Sequence, residues 1–251
     1  QCLMIQKESF CACRVRTEAQ REGVLFMAAS AAVKFIFAGE LAVHRQFILE
    51  NCGPPVPFPA GTVLSRAAEV PARVYYLLEG MTKVYTSNTD GYIRLLGYHR
   101  ADTLCVLDGL RGVMPSVVTI ETIMPVRAVP LTSEDLCRLG KLSPEFALDL
   151  AFFVGDTLRL MCFDAENQSI GDVGTRLANF FLLYRTSPDY QRSGFVAMSQ
   201  DNLASAVNAS RVQVARVCSK MQKAGMIRTH RGKVELLNEK TLEQWAEGSA
   251  R

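Results

Sequence analysis

The sequence predicts an α+β protein in which a strand-rich roll is followed by a long helix and a small helical domain. Three observations predict this class. Short β-rich runs separated by Gly and Pro turns occupy residues 58–131, a helical pattern runs from Ser143 to Gln168, and two short helices with a basic hairpin close the chain. Many short strands with turn chemistry are typical of a closed roll or sandwich. The predicted segments are an N-terminal helical segment (1–50), the roll (51–142), the long helix (143–170) and a C-terminal domain (171–251).

The composition is that of a globular protein, and its positive charge is concentrated near the C-terminus. The chain has 251 residues, of which 49% are hydrophobic and 21% are charged, which excludes a disordered or fibrous protein. Between Ser199 and Val234 there are seven Lys and Arg residues and one acid, a net charge of +6, whereas the rest of the chain carries −3. A local positive field of this kind is what a phosphate-binding module requires.

The N-terminal region predicts a cytoplasmic chain without a membrane partner. Eight cysteines are spread along a chain that is too long to need a disulfide framework, so we expect a reducing setting. The apolar run from Val24 to Gly39 follows several arginines and resembles a signal peptide in outline, but Lys34 interrupts it and the run is short for a membrane span. We expect it to form a packed helix.

The roll and the long helix each have a clear local signature. Asp90-Gly91 is a strong hairpin signal between strand-like runs, and further strands are predicted at 117–123 and 126–131. Ser143-Pro144 is a helix start with a capping serine and a proline in the first turn. A seam of mostly small residues predicts a homodimer along this helix, with packing on the chain's own roll as the alternative. The seam consists of Ala151, Gly155, Leu158, Cys162 and Ala165.

The C-terminal domain has the pattern of a winged helix-turn-helix. One helix from Gln200 to Val207 and a second from Ser210 to Gly225 meet at a tight turn, and a strand-like hairpin with its tip at Arg231-Gly232 follows. In this arrangement the second helix enters the major groove of double-stranded DNA. The alternative is a solvated basic helix in a protein–protein module.

The second helix has two faces. Its predicted buried stripe is Val214, Val217, Met221 and Ala224, and its opposite face carries Val212, Arg216, Ser219 and Lys223. On that face Arg216 suits guanine, Val212 suits a thymine methyl group, and Gln213 at the rim suits adenine. The remaining candidates suit phosphates. The predicted DNA-binding residues are Ser199, Ser210, Arg211, Val212, Gln213, Arg216, His230, Arg231 and Lys233.

From about Phe58 onward the chain resembles the CRP/FNR superfamily of bacterial transcription regulators. The resemblance rests on "FPAGTVL" and "YYLLEGMTKVYTSNTDGYIRLLGY" for a cyclic-nucleotide-binding-like β-roll, and on "MSQDNLASAVNASRVQVARVCSKMQKAGMIRTHRGKVELLN" for the DNA-binding end. It implies a homodimeric regulator, not an enzyme, that reads a palindrome and is controlled by a small effector bound in the roll. RNA polymerase is an implied partner if the protein is an activator.

The roll departs from the members of this family that bind cyclic AMP. Cys105-Val106 stands where a Gly-Glu pair is expected, and Pro115-Ser116 where an Arg-Ser pair is expected. Without these polar partners a charged nucleotide would lie unpaired, so cyclic AMP is disfavoured. The candidate effector-binding residues are Tyr98, Leu104, Cys105, Val106, Arg111 and Ser116.

The recognition helix departs from the family pattern as well. Val212 stands where the family pattern "S-R-E-T-V-x-R" has a glutamate, and a valine at this position is similar to the CprK/FNR-like branch. Because a methyl contact favours thymine, we expect A/T-rich half-sites. Cys2, Cys11 and Cys13, with Cys105, leave an iron–sulfur cluster open as an alternative that their spacing does not favour. A redox-active thiol is a second alternative, and a cupin-like enzymatic roll is a third. The cupin alternative needs a His and Glu cluster, and His99 has no partner histidine nearby.

Overall fold

The structure, a computed structural model, describes residues 33–247, and its first half is a roll of two sheets. The strands are β1 (Ile36–Phe37), β2 (Val56–Phe58), β3 (Val63–Ser65), β4 (Val74–Glu79), β5 (Met81–Ser87), β6 (Ile93–Arg100), β7 (Leu104–Cys105), β8 (Thr119–Thr122) and β9 (Val126–Leu131). One sheet has the order β1-β6-β5-β8-β3 and the other β2-β9-β4-β7. Between them lies a core that includes the fully buried Tyr76, Leu77, Leu104 and Leu131.

The β5–β6 hairpin turns where the sequence predicts it. Gly91 has a φ of +77°, a conformation that glycine adopts without steric cost. The Asn88 side chain accepts hydrogen bonds from the backbone N–H groups of Asp90 (3.1 Å) and Tyr92 (2.8 Å), which closes the loop.

The prediction of a helix over residues 24–39 is wrong where the structure describes it. Residues 24–32 lie outside the described part, but β1 pairs in parallel with β6, with Ile36 opposite Tyr98 and Phe37 opposite His99. Phe35 lies edge-on to Phe180, with ring centroids 4.8 Å apart. Aromatic and β-branched residues fit a buried strand well, and here burial on both sides overrides the helical pattern. A short α1 (Arg45–Asn51) then follows.

The second half of the chain is helical. It contains α2 (Ser133–Leu142), α3 (Pro144–Ser169), α4 (Val173–Arg185), α5 (Pro188–Ser193), α6 (Gln200–Ala206), α7 (Arg211–Lys223) and α8 (Glu239–Ala246). A small sheet of order β10-β12-β11 joins them, made of β10 (Phe195–Val196), β11 (Ile227–His230) and β12 (Lys233–Leu236). As predicted, Ser143 caps α3 by accepting a hydrogen bond from the Phe146 N–H (3.2 Å). Between residues 33 and 247 no helix is both long and apolar enough to span a bilayer.

Polar contacts hold the C-terminal domain against the roll. Arg94 of β6 donates hydrogen bonds to the carbonyls of Ser205 (3.1 Å) and Ala206 (2.6 Å) at the end of α6, and it also pairs with Asp164 of α3. Arg100 forms an ion pair with Asp189 (2.8 Å). The guanidinium of Arg94 therefore supplies partners for carbonyls that a helix end leaves unpaired.

Candidate nucleic-acid interface and effector cavity

The turn between α6 and α7 is fixed by the backbone conformation of Asn208 and by hydrogen bonds from the side chain of Arg176. Asn208 has a φ of +51°, a conformation that asparagine tolerates better than most residues. Arg176 of α4 donates from Nε to the Val207 carbonyl (3.0 Å) and from Nη2 to the Asn208 carbonyl (3.1 Å). These contacts set the angle at which α7 leaves the domain.

A capping box starts α7. The Ser210 hydroxyl accepts a hydrogen bond from the Gln213 N–H (3.2 Å), and Gln213 Oε1 accepts one from the Ser210 N–H (2.9 Å). This reciprocal pair satisfies two backbone donors that a helix start otherwise leaves free. The side-chain oxygen of Gln213 is thus already engaged, so its predicted adenine contact would require breaking this bond.

Replacing the cap tests its contribution to stability. Ser210→Ala is expected to lower the free energy of unfolding by about 1 kcal/mol, because the N–H of Gln213 loses its acceptor. Chemical denaturation of the full chain measures the change, with the exposed Ser219→Ala within the same helix as a matched control that alters no cap. An unchanged midpoint for Ser210→Ala would contradict the capping role.

The outward face of α7 is exposed as the sequence predicts. Val212 is 60% exposed, and Arg216, Ser219 and Lys223 are also exposed. The side chain of Arg216 makes no hydrogen bond or ion pair with any residue between 33 and 247. The face can therefore meet a partner without first breaking an internal contact.

The buried stripe of α7 differs from the prediction at one end. Val214, Cys218 and Met221 are buried, Val217 is half-buried, and Ala224 is an exposed C-cap residue. The stripe runs through Cys218 because residues four and seven positions after Val214 lie on the same side of a helix. Burial raises the pKa of the Cys218 thiol to about 11, so this cysteine packs as a neutral group.

The wing supplies cations next to α7. Arg231 stands exposed at the β11–β12 tip, where Gly232 has a φ of +75°. Lys233 Nζ lies 3.7 Å from the ring centroid of Phe195, and the His230 ring meets the same ring edge-on. His230 Nε2 also lies 3.3 Å from the carboxylate of Glu235. Packing on Phe195 therefore orients two of the three predicted wing residues.

A cleft of about 380 Å³ brings five of the predicted DNA-binding residues together. Its wall includes Ser199, Arg211, His230, Arg231 and Lys233. Ser199 accepts the Asn202 N–H (3.2 Å) as the cap of α6, and Arg211 lies 3.6 Å from Asp201. Both partners of that ion pair are well exposed, and exposed pairs contribute little, so Arg211 is readily released to another anion.

The roll contains a second cavity, of about 190 Å³, against the long helix α3. Its lining is mostly apolar: Phe37, Val84, Leu96, Gly97, His99, Val106, Leu107, Asp108, Val117, Val118, Ile120, Thr157, Leu160 and Met161. Asp108 is its one charged residue among those described; its carboxylate accepts hydrogen bonds from Ser116 Oγ (2.7 Å) and the Val117 N–H (2.8 Å). The cavity thus offers an anion no cation from the described residues.

Of the six predicted effector-binding residues, only Val106 lines this cavity. Leu104 and Cys105 are fully buried in the core, and burial raises the pKa of Cys105 to about 12. Arg111 is exposed, and the Ser116 hydroxyl is used by Asp108. The other five residues do not line this cavity, and their assignment to an effector stays a prediction.

Alternation along β6 explains why Tyr98 does not line this cavity. Successive strand residues point to opposite faces, so Gly97 and His99 face the cavity while Tyr98 packs edge-on against Phe35, with centroids 5.7 Å apart. The same alternation, counted from Gly97, identifies His99 as a residue on the cavity side of the strand. Thr157, Leu160 and Met161 of α3 also line the cavity. No pattern in the sequence of the roll indicates which residues of a distant helix will pack against it.

The predicted seam of α3 faces away from the chain's own roll. Ala151, Leu158, Cys162 and Ala165 are exposed and Gly155 is half-buried, while the inner face of α3 buries Phe146, Phe153, Leu160 and Phe163. Phe152 and Leu158 are each 63% exposed. The alternative in which the seam packs on the roll of the same chain is therefore wrong.

The N-terminal cysteines Cys2, Cys11 and Cys13 lie outside the described residues. Their candidate partner Cys105 is buried in the core. Within residues 33–247 no three His, Cys, Asp or Glu side chains come together in a way that could hold a metal ion.

Comparison with known proteins agrees with the class that the fold and the exposed helix define, a DNA-binding transcription regulator. Residues 175–245 match the family model of the Crp-like helix-turn-helix domain. The chain is 28% identical over 198 residues to the transcriptional regulator SdrP of Thermus thermophilus, which covers 76% of this chain and 94% of SdrP.

Solved structures share the fold over 77–78% of this chain. A CRP/FNR-family transcriptional regulator from Thermus thermophilus matches with a TM-score of 0.62 and 25% identity, over 77% of this chain and 98% of that one. CLP, a c-di-GMP-responsive global regulator from Xanthomonas campestris, matches with a TM-score of 0.68 and 20% identity, over 78% of this chain and 99% of CLP. Residues 175–245 are thus similar to a Crp-like helix-turn-helix domain, and the fold is similar to that of a CRP/FNR-family regulator.

Proposed function

We propose that the protein is a homodimeric regulator that reads palindromic DNA with α7 and responds to a small effector in the roll. The observation that carries this proposal is the outward face of α7, where Val212 and Arg216 are exposed beside a cationic wing. A helix of this kind fits the major groove, and its first residues reach base edges.

The side chains on that face suggest the base preferences. Arg216 presents two parallel donors to guanine O6 and N7, and Val212 one turn earlier offers only a methyl contact, which suits thymine. Arg211 and the Ser210 end of α7 suit phosphates, as do Ser199 and the wing residues His230, Arg231 and Lys233. A/T-rich half-sites follow from the methyl contact.

The exposed seam of α3 supports a two-fold dimer. Small residues at Ala151, Gly155 and Ala165 allow two helices to approach closely, and Phe152 and Leu158 supply apolar surface to bury. A symmetric pair places two copies of α7 one DNA turn apart, so the target is a palindrome. RNA polymerase is a further partner if the protein activates transcription.

The cavity beside α3 suggests what kind of effector the roll accepts. Because Asp108 is the charged residue on its wall, a phosphate group would meet repulsion and no compensating cation from the described residues there. Val106 at the cavity has a φ of +68°, a strained conformation for a β-branched residue of the kind found at ligand sites. The carboxylate of Asp108 favours a small uncharged effector over cyclic AMP, and the strained backbone of Val106 supports the cavity as a ligand site.

Selection of bound sequences from random DNA by the full chain tests the proposed function. We expect an enriched inverted repeat with A/T-rich half-sites and a guanine in each half. Enrichment of a single unrepeated site, or no enrichment above a variant carrying both Arg216→Ala and Lys233→Ala, would overturn the proposal.

The wing residue Lys233 separates phosphate contacts from base contacts. Lys233→Ala is expected to weaken specific and random DNA alike, and to reduce the slope of log affinity against log salt by about 1 for each phosphate that the lysine neutralises. Fluorescence anisotropy at several salt concentrations measures both effects. Lys141→Ala, which removes an exposed cation from α2 and so from outside the helix-turn-helix and its wing, is the control and should leave the slope unchanged.

A further inference from the structure

Three parts of the chain meet at the guanidinium of Arg94. Its Nη1 donates hydrogen bonds to the carbonyls of Ser205 (3.1 Å) and Ala206 (2.6 Å) at the end of α6, and its Nη2 pairs with the carboxylate of Asp164 on α3. The side chain of Arg94 is 13% exposed and that of Asp164 is 24% exposed, so solvent screens the pair only partly. One side chain of the roll thus holds both the long helix and the first helix of the helix-turn-helix.

The chemistry of this contact suits an arginine. The last carbonyls of a helix have no partner within the helix and carry the negative end of its dipole, so a cation there is stabilising. The planar fork of a guanidinium serves carbonyls and a carboxylate at once, whereas the ammonium of a lysine is a single point charge. Gln168 orients the carboxylate by donating a hydrogen bond to Asp164 (3.3 Å), and the Tyr92 hydroxyl adds a longer contact to the Ala204 carbonyl (3.4 Å).

Two other contacts attach the C-terminal domain to the rest of the chain. Residues 170–172 connect α3 to α4, and beside this linker Asn179 Nδ2 donates a hydrogen bond to Asn167 Oδ1 (3.0 Å), with both amides buried. Arg100 at the end of β6 forms the second contact, an ion pair with Asp189 of α5 (2.8 Å).

The contact at α6 completes a three-point attachment. Arg94 and Arg100 are six residues apart on β6, which is roughly 20 Å along a strand. A rigid body that is held at two points can still turn about the line that joins them, and a third point stops this rotation. Arg94 supplies that third point, and it acts on the helix that leads directly into the turn before α7.

We propose that Arg94 determines which spacing between two DNA half-sites the protein accepts. The inference rests on the proposed function, because only a two-fold pair reads two half-sites. One base pair added between the half-sites moves the second one by about 3.4 Å along the duplex and turns it by about 35°. A domain held at three points follows this change only if the DNA deforms, whereas a domain that turns about two points follows it directly. Arg94 is thus a positioning residue that acts through α6.

Fluorescence anisotropy of the full chain on duplexes that differ only in their central spacer tests the proposal. The unaltered protein is expected to bind the selected palindrome on the order of tenfold more weakly when one base pair is inserted or removed, because the DNA must twist to compensate. Arg94→Met keeps the apolar stem but removes the guanidinium, so it should reduce this penalty to about twofold and leave the affinity for a single half-site unchanged. Arg127→Ala removes an arginine that pairs with Glu79 elsewhere on the roll (2.8 Å) and should keep the full penalty. A full penalty in Arg94→Met would overturn the assignment.

A second variant and the unaltered protein cover the case in which Arg94→Met does not fold. Arg94→Lys keeps a cation beside Asp164 but lacks the fork, so its penalty should lie between those of the unaltered protein and Arg94→Met. A full penalty in Arg94→Lys, or no penalty in the unaltered protein, would reject the spacing role. If a palindrome is selected but its spacing preference survives in Arg94→Met, the regulator stands and the spacing role fails alone. If the unaltered protein selects no inverted repeat, the dimeric regulator fails and the spacing role fails with it.

Discussion

Leu158→Glu is expected to convert the protein to monomers and to lower its affinity for a palindromic site by on the order of a hundredfold or more. Leu158 is 63% exposed at the centre of the α3 seam. In a two-fold pair each substitution occurs twice, so two carboxylates would face each other across an apolar contact. A buried charge without a partner costs about 3–5 kcal/mol, and about 1.4 kcal/mol corresponds to a factor of ten in affinity.

Sedimentation velocity measures the mass of the particle directly, and anisotropy on the selected palindrome measures the loss of affinity. Val56→Glu is the matched control, because it introduces the same charge at an exposed apolar position away from α3. Val56 is 38% exposed and lies on β2, in the sheet of order β2-β9-β4-β7. That variant should remain a dimer and keep its affinity. A Leu158→Glu protein that remained dimeric would move the interface away from α3.

Arg216→Ala is expected to cost about 1–3 kcal/mol on the selected site, a loss of roughly 5- to 150-fold, and to relax the sequence preference at one base position. The guanidinium makes no hydrogen bond or ion pair within the described part of the chain, so its removal should leave the stability of the fold almost unchanged. Affinity for random DNA should fall far less than affinity for the selected site.

Arg211→Ala is the matched control for Arg216→Ala, because it removes the same side chain from the first turn of the same helix. Arg211 suits a phosphate, so its loss should weaken specific and random DNA by similar factors. Repeating the sequence selection with both variants separates the two roles. If Arg216→Ala also lost affinity equally on specific and random DNA, the base-reading role of Arg216 would be wrong.

Local sequence signals predicted the DNA-binding domain well. The capping serines Ser199 and Ser210, the spacing of Val214 and Met221, and the turn at Arg231-Gly232 all depend on residues a few positions apart. Interactions over such short distances are determined by backbone geometry and hydrogen bonding that the sequence displays directly. The hairpin at Asp90-Gly91 and the start of α3 were predicted for the same reason.

The residues that line the roll cavity could not be predicted in this way. The cavity is formed by β1, β5, β6, β8, the turn at Leu107 and one face of α3, which lie far apart in the chain. The resemblance to cyclic-AMP-binding members instead predicted effector contacts mainly at residues 104–116, where those members have polar partners for the nucleotide. In this chain Leu104 and Cys105 are buried in the core and Ser116 pairs with Asp108, while the buried ring of His99 lines the cavity.

The sequence alone determined the start of α3, the helices α6 and α7 with their capping serines, the hairpins and the exposed face of α7, because each depends on a helical or strand period and on contacts within a few residues. The tertiary structure decided three further features: the β1–β6 pairing at Ile36–Phe37, the outward direction of the α3 seam, and the Nδ1 of His99 that has no partner among the described residues. Each of these depends on which distant surfaces are buried together, and burial in a shared core can override a local preference such as the helical pattern before Gly39.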